Sequence, residues 1–310
     1  MKHRIIINGK FSDNYQLRQI IEKLKTMYEL DVRVSWESGD ISEFCRETAG
    51  DFKRVIVAGG DGSMNEAVTG LMEIPEPPEL AIVPMGTAND LALCAGMPVE
   101  LEESLMFAFS QEAVPVDVIQ VNDRYIMNTA ALGQAAKVTE RTPDMLKGIV
   151  GKFAYSLSSL ISLFDVTDPV PFKDNFDNNN EYIFGYICNG SSCGGGFQIS
   201  PTARINDGQM DVLLIKHCDL TNIANVTFDL WQNNENEYIK RFRTNELYLE
   251  AINTLQISID GEIYTSEKFY FKCRKNALKL VMDSQSELIA EQACHYEQNS
   301  NSKALSPVFN

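Results

Sequence analysis

Short, continuously apolar runs alternate with helical spacing along the N-terminal part of the chain. Residues 4–8, "RIIIN", read as a buried strand. In residues 15–28, Leu17, Ile20, Ile21, Leu24 and Tyr28 recur at the spacing of one helix face. "DVRVSW" (31–36) predicts a second strand and "ISEFCRETA" (41–49) a second helix, while "RVIVAGG" (54–60) and "LAIVP" (80–84) predict further buried strands, each followed by a helix. This alternation predicts a doubly wound α/β unit with a parallel sheet covered on both faces.

The pattern changes near residue 115. "VPVDVIQVNDRYIMNTAA" (114–131) contains two strand-like runs around "ND", the mark of a hairpin. Next comes a helical stretch with Leu146, Ile149, Val150, Phe153, Leu157, Leu160 and Ile161 on one apolar face. After the loop "DNFDNNNE" (174–181) the chain becomes strand-rich: "YIFGYICNG", "MDVLLIKHC", "LQISIDGEIY", "KFYFKCR" and "ALKLVMD", interrupted by one helix over about 220–232. A mainly antiparallel β domain, a sandwich or open barrel, is expected here. The expected division is therefore 1–121, 122–285, and a polar tail, 286–310, that frays or packs back on the first domain.

The formal charge of −16 over 310 residues changes the picture by its sign. No basic footprint for nucleic acid is visible. An anionic membrane would repel such a chain on average, so work at a membrane needs a local patch. No apolar run is long enough to cross a bilayer, and "MKHRIIINGK" passes directly into a strand. Seven scattered cysteines without a Cys-x-x-Cys pair suggest reduced thiols and a cytoplasmic setting. Cys193 has no evident histidine partner and reads as a buried or incidental thiol.

Candidate chemistry begins at "GGDG" (59–62), where Asp61 interrupts glycines at the end of a strand. Met64, Ala67, Val68, Leu71 and Met72 then share one face, so a helix is expected from about Ser63. Its free N–H groups and dipole suit a phosphate. A carboxylate facing that phosphate implies an intervening Mg²⁺ or a proton to be moved, whereas Asp61 as a plain helix cap is an equally good reading of the loop alone. "LAIVPMGTANDLALCAG" (80–96) repeats the architecture, with Asn89 and Asp90 before a helical run. Two such strand ends form a polar crevice more readily than two unrelated turns would.

"GGDGSMNEAVTGL" together with "PMGTANDLA" resembles the diacylglycerol kinase catalytic domain, which is grouped with NAD kinases and phosphofructokinases. "SSCGGGFQISPTARINDGQMDV" (191–212) and "IDGEIY" (259–264) match its bacterial branch, and "NGK" (8–10) with "RVSWESGD" (33–40) points to YegS-like lipid kinases. The resemblance implies an ATP- and Mg²⁺-dependent lipid kinase with an α/β domain, a C-terminal β-sandwich and an active site between them. ATP contacts would fall on Ser35, Gly60, Asp61, Gly62, Ser63, Met64, Asn65, Glu66 and Thr87. Ser63 stands where the family usually has threonine, which keeps the hydroxyl. Glu262 would accept the proton of the lipid hydroxyl, with Asp61 on the Mg²⁺–ATP side; which of the two takes the proton is left open. The resemblance also implies a structural Mg²⁺ or Ca²⁺ held by Asp207 and the carbonyls of Arg204 and Gln209, against the simpler reading of an Asp-Gly turn without an ion. Phosphatidylglycerol, diacylglycerol or a related lipid is the implied acceptor. An NAD kinase-like activity and a non-catalytic nucleotide- or lipid-binding role are the alternatives.

Overall fold

The computed structural model describes residues 2–133, 170–176, 181–194 and 196–289. The apolar helix expected over 145–161 lies outside them, as does the tail beyond residue 289.

In chain order the first elements are β1 (Lys2–Asn8), α1 (Tyr15–Leu24), β2 (Leu30–Ser35), α2 (Asp40–Arg46), β3 (Phe52–Gly59), α3 (Asp61–Met72), β4 (Glu79–Pro84), α4 (Asp90–Cys94) and α5 (Leu101–Ser110). The strands lie in the order β4-β3-β1-β2, all parallel. β1 shows why its run is unbroken: Ile6 enters the core beneath α2 and α3, while Ile5 and Ile7 enter the opposite core beneath α1 and α5. Asn14 caps α1, its Oδ1 accepting the N–H of Leu17 at 2.9 Å. The helix stops at Leu24 instead of reaching Tyr28, and the Thr26 hydroxyl donates to the Lys23 carbonyl.

The remaining elements are β5 (Ala113–Val121), β6 (Arg124–Ile126), β7 (Thr129–Gly133), β8 (Phe172–Asp174), β9 (Tyr182–Cys188), β10 (Ser192–Cys193), β11 (Phe197–Gln198), β12 (Met210–Lys216), α6 (Leu220–Gln232), β13 (Ile239–Thr244), β14 (Glu246–Ile259) and β15 (Glu262–Val281). β5 and β6 form the hairpin expected around "ND", with Asn122 at φ +50° in its turn. The antiparallel order is β13-β12-β9-β7-β14-β15, and its core gathers Phe172, Tyr182, Leu247, Leu249, Phe269 and Phe271.

Two of the expected strands are one. "KFYFKCR" and the first five residues of "ALKLVMD" belong to the 20-residue β15, which absorbs a register shift between Arg274 and Leu278, with Asn276 at φ +52°. Beyond the bulge β15 also reaches the first sheet, pairing in parallel with β4 at Leu280↔Leu80. Leu278 and Leu280 pack into one N-terminal core cluster and Val281 into the other. β15 therefore serves both halves of the molecule. The next residues stay on the first half: the Asp283 N–H donates to the Ala95 carbonyl, the Ser286 hydroxyl to the Cys94 carbonyl, and Leu288 is buried.

Candidate active site

The two glycine loops touch. A Cβ on Gly86 would lie 2.6 Å from Gly60 Cα, so glycine is needed where these backbones meet, and within the first loop a Cβ on Gly59 would run into the Ser63 side chain, 2.4 Å from its Oγ. α3 begins at Asp61, two residues before Ser63, with Gly60 at its N-cap and no side chain capping its first turn. Its leading N–H groups face the crevice beyond the strand ends, the arrangement that suits a phosphate. Asn8, at the end of β1, donates to Ser63 Oγ at 3.0 Å and so orients that hydroxyl. In the second loop Asn89 adopts φ +51° and folds back on Gly86, accepting its N–H at 3.0 Å and donating to its carbonyl at 2.8 Å. That leaves the Asn89 N–H to donate to Asp61 Oδ2 at 3.0 Å, which joins the loops.

Burial pushes the Asp61 carboxyl up to about 6, and the charges of Asp90 and Asp260 add to this against the hydrogen bond from Asn89. A buried carboxyl beside a second acidic side chain is a natural seat for a divalent cation. Mg²⁺ is characteristically held by one or two carboxylates together with substrate phosphates, so Asp61 and Asp90 fit it. Among the described residues no cluster of three or more His, Cys, Asp or Glu offers an all-protein cage.

The remaining residues expected at the nucleotide divide by environment. Ser35 is buried at the end of β2, and Thr87 is exposed on the second loop. Met64 turns into the core and its N–H is bonded to the Gly60 carbonyl. Glu66 accepts the Gly39 N–H at 3.1 Å, and its own carbonyl accepts the Ser42 hydroxyl at 2.6 Å. It thus clasps the loop after β2 to α3; burial raises its carboxyl, and the charge of Glu262 contributes in the same direction. Asn65 is a strut, donating to the Tyr125 carbonyl at 2.9 Å and to Asp260 Oδ2 at 3.0 Å.

Glu262 reaches the same crevice from the other half of the molecule. Its Oε1 would lie 3.8 Å from a Cβ on Gly62, so the carboxylate stands over the first turn of α3. The turn before it, Asp260–Gly261, has both residues at positive φ (+46° and +100°) and brings Glu262 to the start of β15. Asp260 is more than a turn residue. Its carboxylate accepts the N–H groups of Met127 (2.8 Å), Asn128 (3.0 Å) and Thr129 (2.9 Å) besides the Asn65 amide. Burial nevertheless raises its carboxyl. This knot fixes the Glu262 turn against α3 and against the start of β7. On the far side the Gly196 N–H of the "CGGGF" loop donates to Asp90 Oδ1 at 2.7 Å.

Asp207 is elsewhere and differently engaged. Its Oδ1 accepts the Gln209 N–H at 2.9 Å, and its Oδ2 pairs with the Arg243 guanidinium. Both carboxylate oxygens already have a donor, one of them a guanidinium, so this donor set does not fit the implied structural ion. Sequence reasoning had no signal for Arg243, which reads as one more charge in "IKRFRT". Asn8 carries no sequence signal of its own beyond the "NGK" resemblance, and turn chemistry alone accounts for Asp260 in the sequence.

Comparison with known proteins agrees with this architecture. Residues 2–121 match the model of the diacylglycerol kinase catalytic domain, and residues 128–282 that of the YegS C-terminal NAD kinase beta sandwich-like domain. A probable lipid kinase YegS-like of Shewanella frigidimarina is 34% identical over 290 residues, covering 90% of this chain and 93% of its own. One of Alcanivorax borkumensis is 34% identical over 291 residues, covering 91% and 96%. Among solved structures, a putative diacylglycerol kinase from Bacillus anthracis shares the fold with a TM-score of 0.77 at 24% identity, over 92% of this chain and 96% of that one.

Proposed function

The chain belongs to the family of YegS-like lipid kinases, and on that premise we propose that it moves the γ-phosphoryl group of ATP to a lipid hydroxyl in a Mg²⁺-dependent reaction. The observation that carries this reading is the meeting of Glu262 with the first turn of α3, since phosphoryl transfer needs a phosphate cradle and a carboxylate that orients the incoming nucleophile. The N–H groups of the Gly60–Ser63 turn bind the phosphates, with Ser35 and Thr87 adding contacts to the nucleotide. Glu262 accepts the hydrogen of the acceptor hydroxyl and aligns its oxygen for in-line attack. Asp61 and Asp90 hold the Mg²⁺, which when bound neutralises charge on the phosphates. Met64, Asn65 and Glu66 act indirectly, by packing and by holding the loops in place.

The acceptor in this reading is phosphatidylglycerol, diacylglycerol or a related glycerolipid, reached from the cytoplasm by transient contact with the membrane surface. Among the described residues no helix is long and apolar enough to cross a membrane.

The test is transfer of label from γ-labelled ATP to purified lipids in mixed micelles, with and without Mg²⁺, for the wild type and Glu262→Gln. One labelled lipid, absent in EDTA and reduced by roughly 10²–10⁴-fold in the variant, is the expected result. Nucleotide binding is followed separately through Trp36, exposed directly after Ser35, in a Trp231→Phe background. Undiminished turnover by Glu262→Gln would remove that residue from the chemistry. Label appearing in NAD would replace the lipid reading, and binding without any transfer would make the protein a nucleotide sensor.

A further inference from the structure

The loop between β11 and β12 is held from two sides. On one side the buried carboxylate of Asp117, on β5, accepts the N–H groups of Gly208 (2.6 Å) and Asn276 (2.7 Å), tying the loop to the bulge of β15. Gly208 has φ +82°, and the stem of Lys275 lies against it; a Cβ there would meet Lys275 Cδ at 2.9 Å. On the other side Arg243 reaches two carboxylates, pairing with Asp207 Oδ2 and donating from Nε to Asp211 Oδ2 at 3.3 Å.

The placement of Arg243 follows from the ladder. Asp211 on β12 and Arg243 on β13 are directly opposite in antiparallel register, a favourable cross-strand pair. From that position the guanidinium, a fork of several donors, spans to Asp207 in the loop. Every oxygen of the two carboxylates then has a donor. Asp207 has the Gln209 N–H and Arg243, while Asp211 has Arg243 and the hydroxyls of Ser200 (3.0 Å) and Thr202 (3.2 Å). A Ca²⁺ or Mg²⁺ at Asp207 needs six or more oxygen ligands and would have to displace a positive group already seated there.

We propose that Arg243 is the resident cation of this loop, doing by guanidinium what a structural divalent ion would otherwise do: joining Asp207 to the sheet and balancing the acidic group. The fold of this chain is therefore independent of a divalent metal at Asp207. The ion pair is partly dry, with side-chain exposures of 39% for Arg243, 15% for Asp207 and 9% for Asp211, so its loss is felt in stability.

The experiment is carried out without nucleotide in an Asp61→Asn, Asp90→Asn background, so that the catalytic cleft contributes no ion binding. Thermal unfolding in EDTA, Mg²⁺ and Ca²⁺ is compared for Arg243 and Arg243→Ala, with Ca²⁺ binding followed by titration calorimetry. The expected result is one Tm in all three media for Arg243 and no calcium heat. Arg243→Ala is expected to lose on the order of 5 °C in EDTA and to recover in Ca²⁺ or Mg²⁺ with one ion bound. Arg243→Lys keeps a cation and stays closer to the parent, with no response to metal; it is the arm to read if the alanine variant does not fold. Calcium bound by the Arg243 protein and abolished by Asp207→Asn would overturn the proposal. So would an alanine variant as stable as its parent in EDTA, or one that no metal restores, because Arg243 would then be a surface pair or a packing group.

Discussion

Replacing Asp61 by asparagine should make the protein more stable while abolishing its activity, and the gain should depend on pH. The folded carboxyl titrates at about 6 against an ordinary value of 3.8. Because the folded state holds the proton more tightly, the group favours folding below 3.8, and that contribution is lost as pH rises through about 6. A shift of roughly two units at 1.36 kcal/mol each gives a penalty of about 3 kcal/mol above pH 6, an upper figure for a group only partly shielded from water. Asparagine keeps an oxygen for the Asn89 N–H but carries no charge, so it escapes the penalty. For a chain of this size the gain corresponds to a Tm about 5 °C higher near pH 8, shrinking toward zero near pH 4. Calorimetry of both proteins in EDTA across that range reads it directly. Adding Mg²⁺ should raise the wild-type Tm and leave the variant unmoved. A variant no more stable than wild type near pH 8, or a gap that does not change with pH, would refute the reasoning from burial.

Asp260→Ala leaves the N–H groups of Met127, Asn128 and Thr129 without their acceptor and should cost on the order of 3–5 kcal/mol, measured by urea unfolding. Gly86→Ala places a Cβ 2.6 Å from Gly60 Cα and 2.7 Å from Asn89 Oδ1. The two loops must part, and the KM for ATP should rise by about tenfold at a stability cost of about 1–3 kcal/mol; an unchanged KM would show that the loop contact does not shape the nucleotide site.

The N-terminal half was legible because its signals are local. "RIIIN", "RVIVAGG" and "LAIVP" are apolar on both faces only because helices cover both faces, and the glycines of residues 59–62 announce a backbone that must come close to something. β15 was less legible: its bulge at 275–277 breaks the alternation that would have joined its two runs. Asp260 shows a second limit. A turn explains its presence next to Gly261, while its four hydrogen-bond donors come from Asn65 and from residues 127–129, which no local pattern connects to it. The pairing of Arg243 with Asp207 is of the same kind, set by strand register rather than by neighbouring residues. Glu262 was reached through family resemblance, since the hairpin chemistry of "DGE" accounts for the first two residues alone.

β15 also acts as a ruler. Its first residue is Glu262, and beyond its bulge its last residues pair into the sheet that ends at the glycine loops, so one strand spans from the proposed proton acceptor to the N-terminal sheet. The two halves are not beads on a string, because β15 pairs with strands of both. Inserting or deleting one residue between Glu262 and the bulge would shift the carboxylate by about 3.3 Å and turn it to the opposite face. Length changes should therefore be tolerated in the connecting loops and not in this strand.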